Sequence, residues 1–88
     1  MLNSYSPTIA IHPGKTLEDT IEASGMKQVD LAQRTGLTPK HINEIINGKT
    51  SITADTAIKL SSVFGMSATF WNNLQKNHDE NAARLKAL

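Results

Sequence analysis

The stretch QVDLAQRTGLTPKHINEIINGK, residues 28–49, decides the fold because it holds two short helical patterns separated by a glycine. In the first pattern Val29, Leu31 and Ala32 form an apolar stripe at helical spacing. Gly36 follows as the residue best able to adopt a positive φ after a helix end. The first helix is therefore predicted to end near Thr35.

The second pattern begins at once with a strong helix start. Thr38 offers a hydroxyl as N-cap, and Pro39 stands at the first helical position, where its missing N–H costs nothing. The buried face follows at i, i+3 and i+4, on Ile42, Ile45 and Ile46. Asn47-Gly48 then predicts an end after little more than two turns. A helix this short needs tertiary contacts to form.

The opposite face of this second helix is polar and consists of Lys40, His41, Asn43, Glu44 and Asn47. Long and amide side chains of this kind can donate to and accept from base edges. Five polar residues alone are more typical of an ordinary solvated face. A tight helix-turn-helix with an internal glycine and a capped second helix instead favours insertion of that helix into a major groove.

Composition limits the class of protein. A chain of 88 residues supports one small core, so we expect a homodimer. It contains no cysteine, no apolar run of about 18 residues and no basic-then-apolar leader, which predicts a cytoplasmic protein without a membrane span or disulfides.

The net charge of +1 is unevenly distributed. Residues 1–25 carry one cation and three anions, residues 26–50 four cations and two anions, and residues 51–88 four cations and three anions. The positive charge thus lies around the candidate reading helix, as expected for a nucleic-acid partner.

The rest of the chain predicts three more helices. His12-Pro13-Gly14 enters the first, which ends at Ser24-Gly25; Thr53 caps the fourth, and Ser67 the fifth. Without useful strand alternation, the sequence predicts an all-α, five-helix fold. Its parts are a mobile arm at residues 1–11, the helix-turn-helix domain at 12–78, and a helical tail at 79–88.

The predicted fifth helix carries the candidate dimer contact, namely Phe70, Trp71 and Leu74. Two adjacent aromatic residues cannot both point to one helix face. We therefore expect Trp71 or Leu74 to be exposed in the monomer and buried in a dimer.

No enzyme or metal site is predicted. His12, His41 and His78 are far apart in sequence, without cysteines or paired carboxylates at ligand spacing, so structural or solvated histidines are expected. A nucleophile–base set and a phosphate-cradling glycine loop are also missing from the sequence, and no cofactor is expected.

These motifs together resemble the HigA-type addiction-module antitoxins, a branch of the XRE, or lambda-repressor-like, helix-turn-helix proteins. The matching pieces are IHPGKTLED at 11–19, the 28–49 core, ITADTAIKLSSVFG at 52–65 and ATFWNNLQ at 68–75. The helix-turn-helix alone is widespread, whereas the other three pieces in this order are more specific. Two departures are Lys15, where a glutamate is frequent, and Asn72, where an apolar residue is common.

The resemblance implies roles for individual residues. Base-reading positions fall on Thr38, Lys40, Asn43 and Glu44. Phosphate contacts fall on Gln28, which opens the second helix of the fold, and chemistry adds Lys49 and Thr50. The implied partners are a palindromic operator, a second copy of the chain, and a small HigB-like, ribonuclease-type toxin.

Two other functions remain open from the sequence. A free-standing XRE-type repressor needs the same DNA-reading residues but no toxin. A protein-binding adaptor that retains a helix-turn-helix shell predicts no salt-dependent DNA binding. The surface for a toxin is also open, with the acidic first helix, the arm at 1–11 and the tail after His78 as candidates.

Overall fold

The computed structural model describes residues 12–87, and in this part of the chain the secondary structure is entirely helical. The helices are α1 Gly14–Ser24, α2 Gln28–Thr35, α3 Pro39–Ile46, α4 Ala54–Phe64 and α5 Ala68–Lys86. The predicted all-α, five-helix fold is confirmed. The arm proposed at 1–11 lies outside the described residues, as does Leu88.

The helix ends follow the predicted signals. α1, α2 and α4 stop at glycines with φ between 72° and 80°, a conformation that costs glycine little. The hydroxyl oxygens of Thr38, Thr53 and Ser67 accept a hydrogen bond from the main-chain N–H three residues later. Each helix is therefore bounded mainly by its own neighbouring sequence.

Gly14 lets the start of α1 approach the end of α3. A Cβ on residue 14 would overlap the main-chain oxygen of Ile45 and lie 2.7 Å from that of Ile46. Leu17 and Ile21 then pack into the core from the same helix. The position of α1 on α3 thus depends on a missing side chain.

The core lies between all five helices. Its buried apolar residues are Leu17, Ile21, Leu31, Ala32, Ile42, Ile45, Ile46, Ile52, Ala57, Leu60 and Trp71. Each fully buried leucine or isoleucine contributes about 1.5–3 kcal/mol of transfer free energy, which offsets the cost of ordering the short α2 and α3.

Val29 does not belong to this core, contrary to the sequence prediction. It is 49% exposed, whereas Leu31, Ala32 and Thr35 form the buried face of α2. Two residues along a helix turn the direction of a side chain by about 200°, so Val29 and Leu31 cannot face the same side.

Of the two residues considered for exposure in the monomer, Trp71 is buried, so that alternative is wrong. Its side chain is 0% exposed and packs against Phe64, with ring centroids 6.2 Å apart. Phe70 is the exposed aromatic at 38%, and Leu74 is half-buried. Since the largest side chain of the region fills the space between α4 and α5, Trp71 cannot contact a second copy of the chain directly.

Gln75 holds α5 to the segment that follows α3. Its buried Oε1 accepts from the N–H of Ile52 at 2.8 Å, and its Nε2 donates to Oδ1 of Asp79 at 2.9 Å. α5 then continues past His78 to Lys86 without a break, so residues 79–86 of the predicted tail belong to the same helix as Gln75. Asn77, two residues after Gln75 on the same helix, is exposed.

Candidate nucleic-acid interface

The outer face of α3 is a row of exposed polar residues. Lys40, Asn43 and Asn47 are exposed, together with Thr38 and Pro39 at the start of the helix. Glu44 is half-buried at the edge of the row, as is His41. Three of the four residues predicted to read bases are thus freely accessible, and Glu44 is accessible in part.

Thr38 has two functions available to it. Its Oγ1 accepts from the N–H of His41 at 3.0 Å, so the oxygen caps the helix. A hydroxyl keeps its own hydrogen for donation when the oxygen accepts. Thr38 can therefore donate to a base or a phosphate but has limited capacity to accept.

The turn between α2 and α3 is fixed by Thr35, a residue whose contribution the sequence patterns did not reveal. Its buried Oγ1 donates to the carbonyl of Leu31 at 2.7 Å and accepts from the N–H of Leu37 at 3.2 Å. One hydroxyl thereby ties the end of α2 to the turn. A polar contact therefore adds to the apolar packing that holds α2 and α3 at their angle.

The start of α2 presents main-chain donors close to Gln28. The N–H of Lys27 is occupied by Oδ2 of Asp30 at 3.0 Å. Gln28 and Val29 occupy the first turn, where N–H groups have no acceptor within the helix. Gln28 is half-buried, so both its side chain and this helix start can meet a phosphate.

The turn after α3 supplies a side chain rather than a main-chain donor. The N–H of Lys49 donates to the carbonyl of Glu44 at 2.8 Å and is therefore occupied. The Lys49 side chain is exposed, and Thr50 is half-buried beside it. Gly48, with φ of 74°, allows this reversal of the chain.

A cavity of about 110 Å³ lies behind the same turn, between Lys49, Thr50 and α5. The imidazoles of His12 and His78 line it with ring centroids 6.4 Å apart, and His12 lies against Gly48. Histidines that are far apart in sequence therefore meet in the fold. Among residues 12–87, however, no group of three or more metal-ligating side chains is brought together.

The ion pairs of the described residues lie on α1 and α4, not on α3. Lys15 pairs with Asp19 at 3.2 Å and Glu18 at 3.9 Å, and its hydrogen bond to Asp19 raises the pKa of the ammonium group. Lys59 pairs with Asp55 on α4 at 3.0 Å. Within residues 12–87 no such pair neutralises the cations of the segment 26–50, which are Lys27, Arg34, Lys40 and Lys49.

Comparison with known proteins agrees with this geometry. A family model described as "Helix-turn-helix" matches residues 17–71. A solved structure of an addiction module antidote protein of a HigA family from Coxiella burnetii is 38% identical, with a TM-score of 0.81 over 89% of this chain and 86% of that one. The chain belongs to the HigA family of helix-turn-helix proteins.

Two further kinds of relative match the chain, and one of them was solved with DNA. The Pseudomonas aeruginosa antitoxin HigA, solved with the higBA promoter, is 33% identical with a TM-score of 0.80, covering 85% of this chain and 83% of that one. Virulence-associated protein I of Dichelobacter nodosus is 41% identical over 80% of this chain but only 66% of its own length. The chain thus spans about two thirds of that curated relative, and 60% of virulence-associated protein A' from the same organism.

Helices of membrane-spanning length and hydropathy do not occur within residues 12–87.

Proposed function

We propose that this protein is a dimeric, DNA-binding antitoxin that represses its own operon and neutralises a ribonuclease-type, HigB-like toxin. The observation that carries the DNA half is the exposed polar row of α3, flanked by cations that no carboxylate of the described residues neutralises. Relatives solved with operator or promoter DNA support it. Its site of action would be the cytoplasm, where an operator is found.

The base contacts follow from side-chain chemistry. Lys40 can donate to O6 and N7 of guanine, Asn43 can pair with N6 and N7 of adenine, and Glu44 can accept from N4 of cytosine. Thr38 can contribute a donated hydrogen bond at the start of the helix. Pro39 lacks a donor, so its edge of α3 offers only shape or contact with a thymine methyl group.

The phosphate contacts would position α3 without specifying sequence. Gln28 and the helix start at α2 lie at one end of the motif, and Lys49 with Thr50 lies at the other. Two separated phosphate contacts fix the orientation of a helix in the groove better than one.

A dimer would pair two such motifs on a palindrome. Phe70 and Leu74 lie one turn apart on α5 and have surface left to bury, and with Trp71 excluded they form the candidate contact. Two-fold symmetry would place the same residues on both sides of the interface.

A binding-site selection from random duplexes tests the DNA half. Lys40→Ala should alter base preference at one position in each half-site, with a cost of about 1–3 kcal/mol there. The same experiment on Lys76→Ala, an exposed cation on α5, should return the wild-type logo. An unchanged logo for Lys40→Ala would remove that residue from the reading face.

The toxin half rests on the family, with one supporting surface. α1 carries Glu18, Asp19 and Glu22 against the single cation Lys15, so its outer side is acidic and would attract a basic ribonuclease. The arm at 1–11, outside the described residues, and the end of α5 are the other candidate surfaces.

Co-expression with the neighbouring gene distinguishes an antitoxin from a free-standing repressor. The polar face of α3 would suit either function equally well. The proposal predicts a small adjacent gene that arrests growth when expressed alone and becomes harmless in the presence of this protein. Should the neighbouring gene prove harmless alone, or stay toxic in the presence of this protein, the free-standing repressor would remain. A protein-binding adaptor with this fold would show no salt-dependent affinity for DNA, whatever the outcome of the co-expression.

A further inference from the structure

Asn47, the residue that ends α3, turns its carboxamide back onto Asn43. Its Nδ2 lies 3.0 Å from the main-chain oxygen of Asn43 and 3.0 Å from Oδ1 of the same residue. Both side chains are exposed on the outer face of the reading helix, four residues apart. One amide group thus makes two hydrogen bonds to a single neighbour.

The main-chain contact fixes the orientation of both amides. A carbonyl oxygen can only accept, so the atom of Asn47 beside it must be the NH₂ group. That group has a second hydrogen, and the Asn43 atom which receives it must therefore be the oxygen. The nitrogen of the Asn43 carboxamide consequently points away from Asn47.

The end of the helix does not by itself require asparagine at residue 47. Asn47 has φ of −86° and ψ of 5°, a conformation open to most residues. The left-handed position of the turn, for which asparagine is often selected, belongs to Gly48. Within the described residues, the hydrogen bonds of the Asn47 carboxamide are those to Asn43.

The consequence concerns how Asn43 would meet a base. Adenine presents N7 as an acceptor and N6 as a donor, so an asparagine pairs with it through one N–H and one oxygen lone pair. A free carboxamide can rotate about its broad, two-fold terminal torsion and exchange these two ends. Because Oδ1 accepts from Asn47, the Asn43 carboxamide cannot exchange its oxygen and nitrogen by rotation. Both N–H groups and one oxygen lone pair of Asn43 therefore remain available in one orientation.

We propose that Asn47 is a positioning residue for base reading: by donating to Oδ1 of Asn43, it holds that carboxamide in the orientation that selects adenine. This inference rests on the proposed DNA-reading function and assigns to Asn47 a contribution to specificity without a base contact of its own.

Binding-site selection with a set of matched variants tests the proposal. Asn43→Ala should remove the whole bidentate pair and reduce discrimination at one base pair by about 5- to 150-fold. Asn47→Ala should reduce discrimination at the same base pair by roughly 2- to 12-fold, the net value of one hydrogen bond. The double variant should match Asn43→Ala there, because the two residues act through one contact.

Two further variants distinguish positioning from stability and charge. Asn47→Asp keeps the size of the side chain but cannot donate to Oδ1 of Asn43 and can instead accept from its Nδ2, so it should lose the preference for adenine at least as fully as Asn47→Ala, even if its charge weakens binding to all sequences. Asn77→Ala, at an exposed asparagine on α5, should leave the logo unchanged. Thermal unfolding of each variant identifies any loss of fold.

The outcomes separate this inference from the reading assignment on which it rests. If Asn43→Ala alters one position and both Asn47 variants leave it intact, Asn47 does not position Asn43. If the Asn47 variants alter a different base pair, Asn47 contacts a base itself, and the inference is also wrong. If Asn43→Ala changes no position at all, the assignment of Asn43 as a base-reading residue fails first.

Discussion

Gly14→Ala should destabilise the fold, although helix propensity alone predicts the opposite. Alanine is favoured over glycine by about 1 kcal/mol within a helix, and Gly14 does not have a positive φ that would reverse this preference. The added Cβ would nevertheless overlap the main-chain oxygen of Ile45 and lie 2.7 Å from that of Ile46. Neither oxygen can rotate out of the way as the end of a side chain can.

The size of the effect follows from the displacement that is needed. Ordinary contact begins at 3.4 Å, so the start of α1 would have to move from the end of α3 by about 0.7 Å for Ile46, and by more for Ile45. Such overpacking costs about 1–3 kcal/mol and occasionally more. A net loss of about 2 kcal/mol would lower the melting temperature of a domain of this size by about 8–16 °C.

Thermal unfolding followed by circular dichroism, at matched protein concentration, measures this change. Gly25→Ala is the control, because a Cβ there meets nothing within 4 Å and the variant tests only the cost of φ at 72°. Gly14→Ala should also weaken operator binding, since the displaced end belongs to α3. A melting temperature equal to or above that of the wild type would refute the close approach of α1 to α3.

Three shorter predictions address the other contacts. Gln75→Ala should lower the free energy of unfolding by about 1–3 kcal/mol in chemical denaturation, because the buried N–H of Ile52 loses its acceptor, whereas Asn77→Ala should have almost no effect. Phe70→Ala with Leu74→Ala should give a folded monomer by light scattering, and an intact dimer would exclude this face of α5. Lys49→Ala should reduce the slope of log K against log salt by about 1 per protomer without changing the logo; an unchanged slope would mean that Lys49 does not contact a phosphate.

Helix boundaries were predictable from sequence because their causes are local. The cap at Thr38 and the glycine at residue 36 act within one turn of the bonds they complete. The buried face of α3 was predictable for the same reason, since Ile42, Ile45 and Ile46 already define one side of a short helix. The polar face opposite to it then followed by geometry.

The directions of Trp71 and Val29 were not predictable from local spacing. Phe70 and Trp71 are both large and apolar, and which one is buried depends on where α4 lies. Val29 fits an apolar stripe in sequence but not the face that packs against the other helices. Tertiary packing decided both positions, as it commonly does where propensity and pattern leave two options.

The polar contacts of the interior were also beyond the sequence patterns. Gln75 and Ile52 are 23 residues apart, and no periodicity marks a glutamine as the acceptor for one particular N–H. The meeting of His12 and His78 is a product of the same packing. The sequence placed Asn47 on a polar face. Its hydrogen bond to Asn43, however, depends on the rotamers of both side chains, which no sequence pattern gives.

The hydrogen bond between Gln75 and Ile52 bears on the spacing of the two α3 helices in the proposed dimer. If α5 slid along its axis by one turn, about 5.4 Å, the N–H of Ile52 would face no acceptor, so the bond admits one axial setting of α5. That setting determines how far Phe70 lies from α3. In a dimer paired through Phe70, the separation of the two α3 helices would then depend on a buried amide that is not among the proposed base or phosphate contacts. Half-sites one helical turn apart, about 34 Å, require such a fixed length.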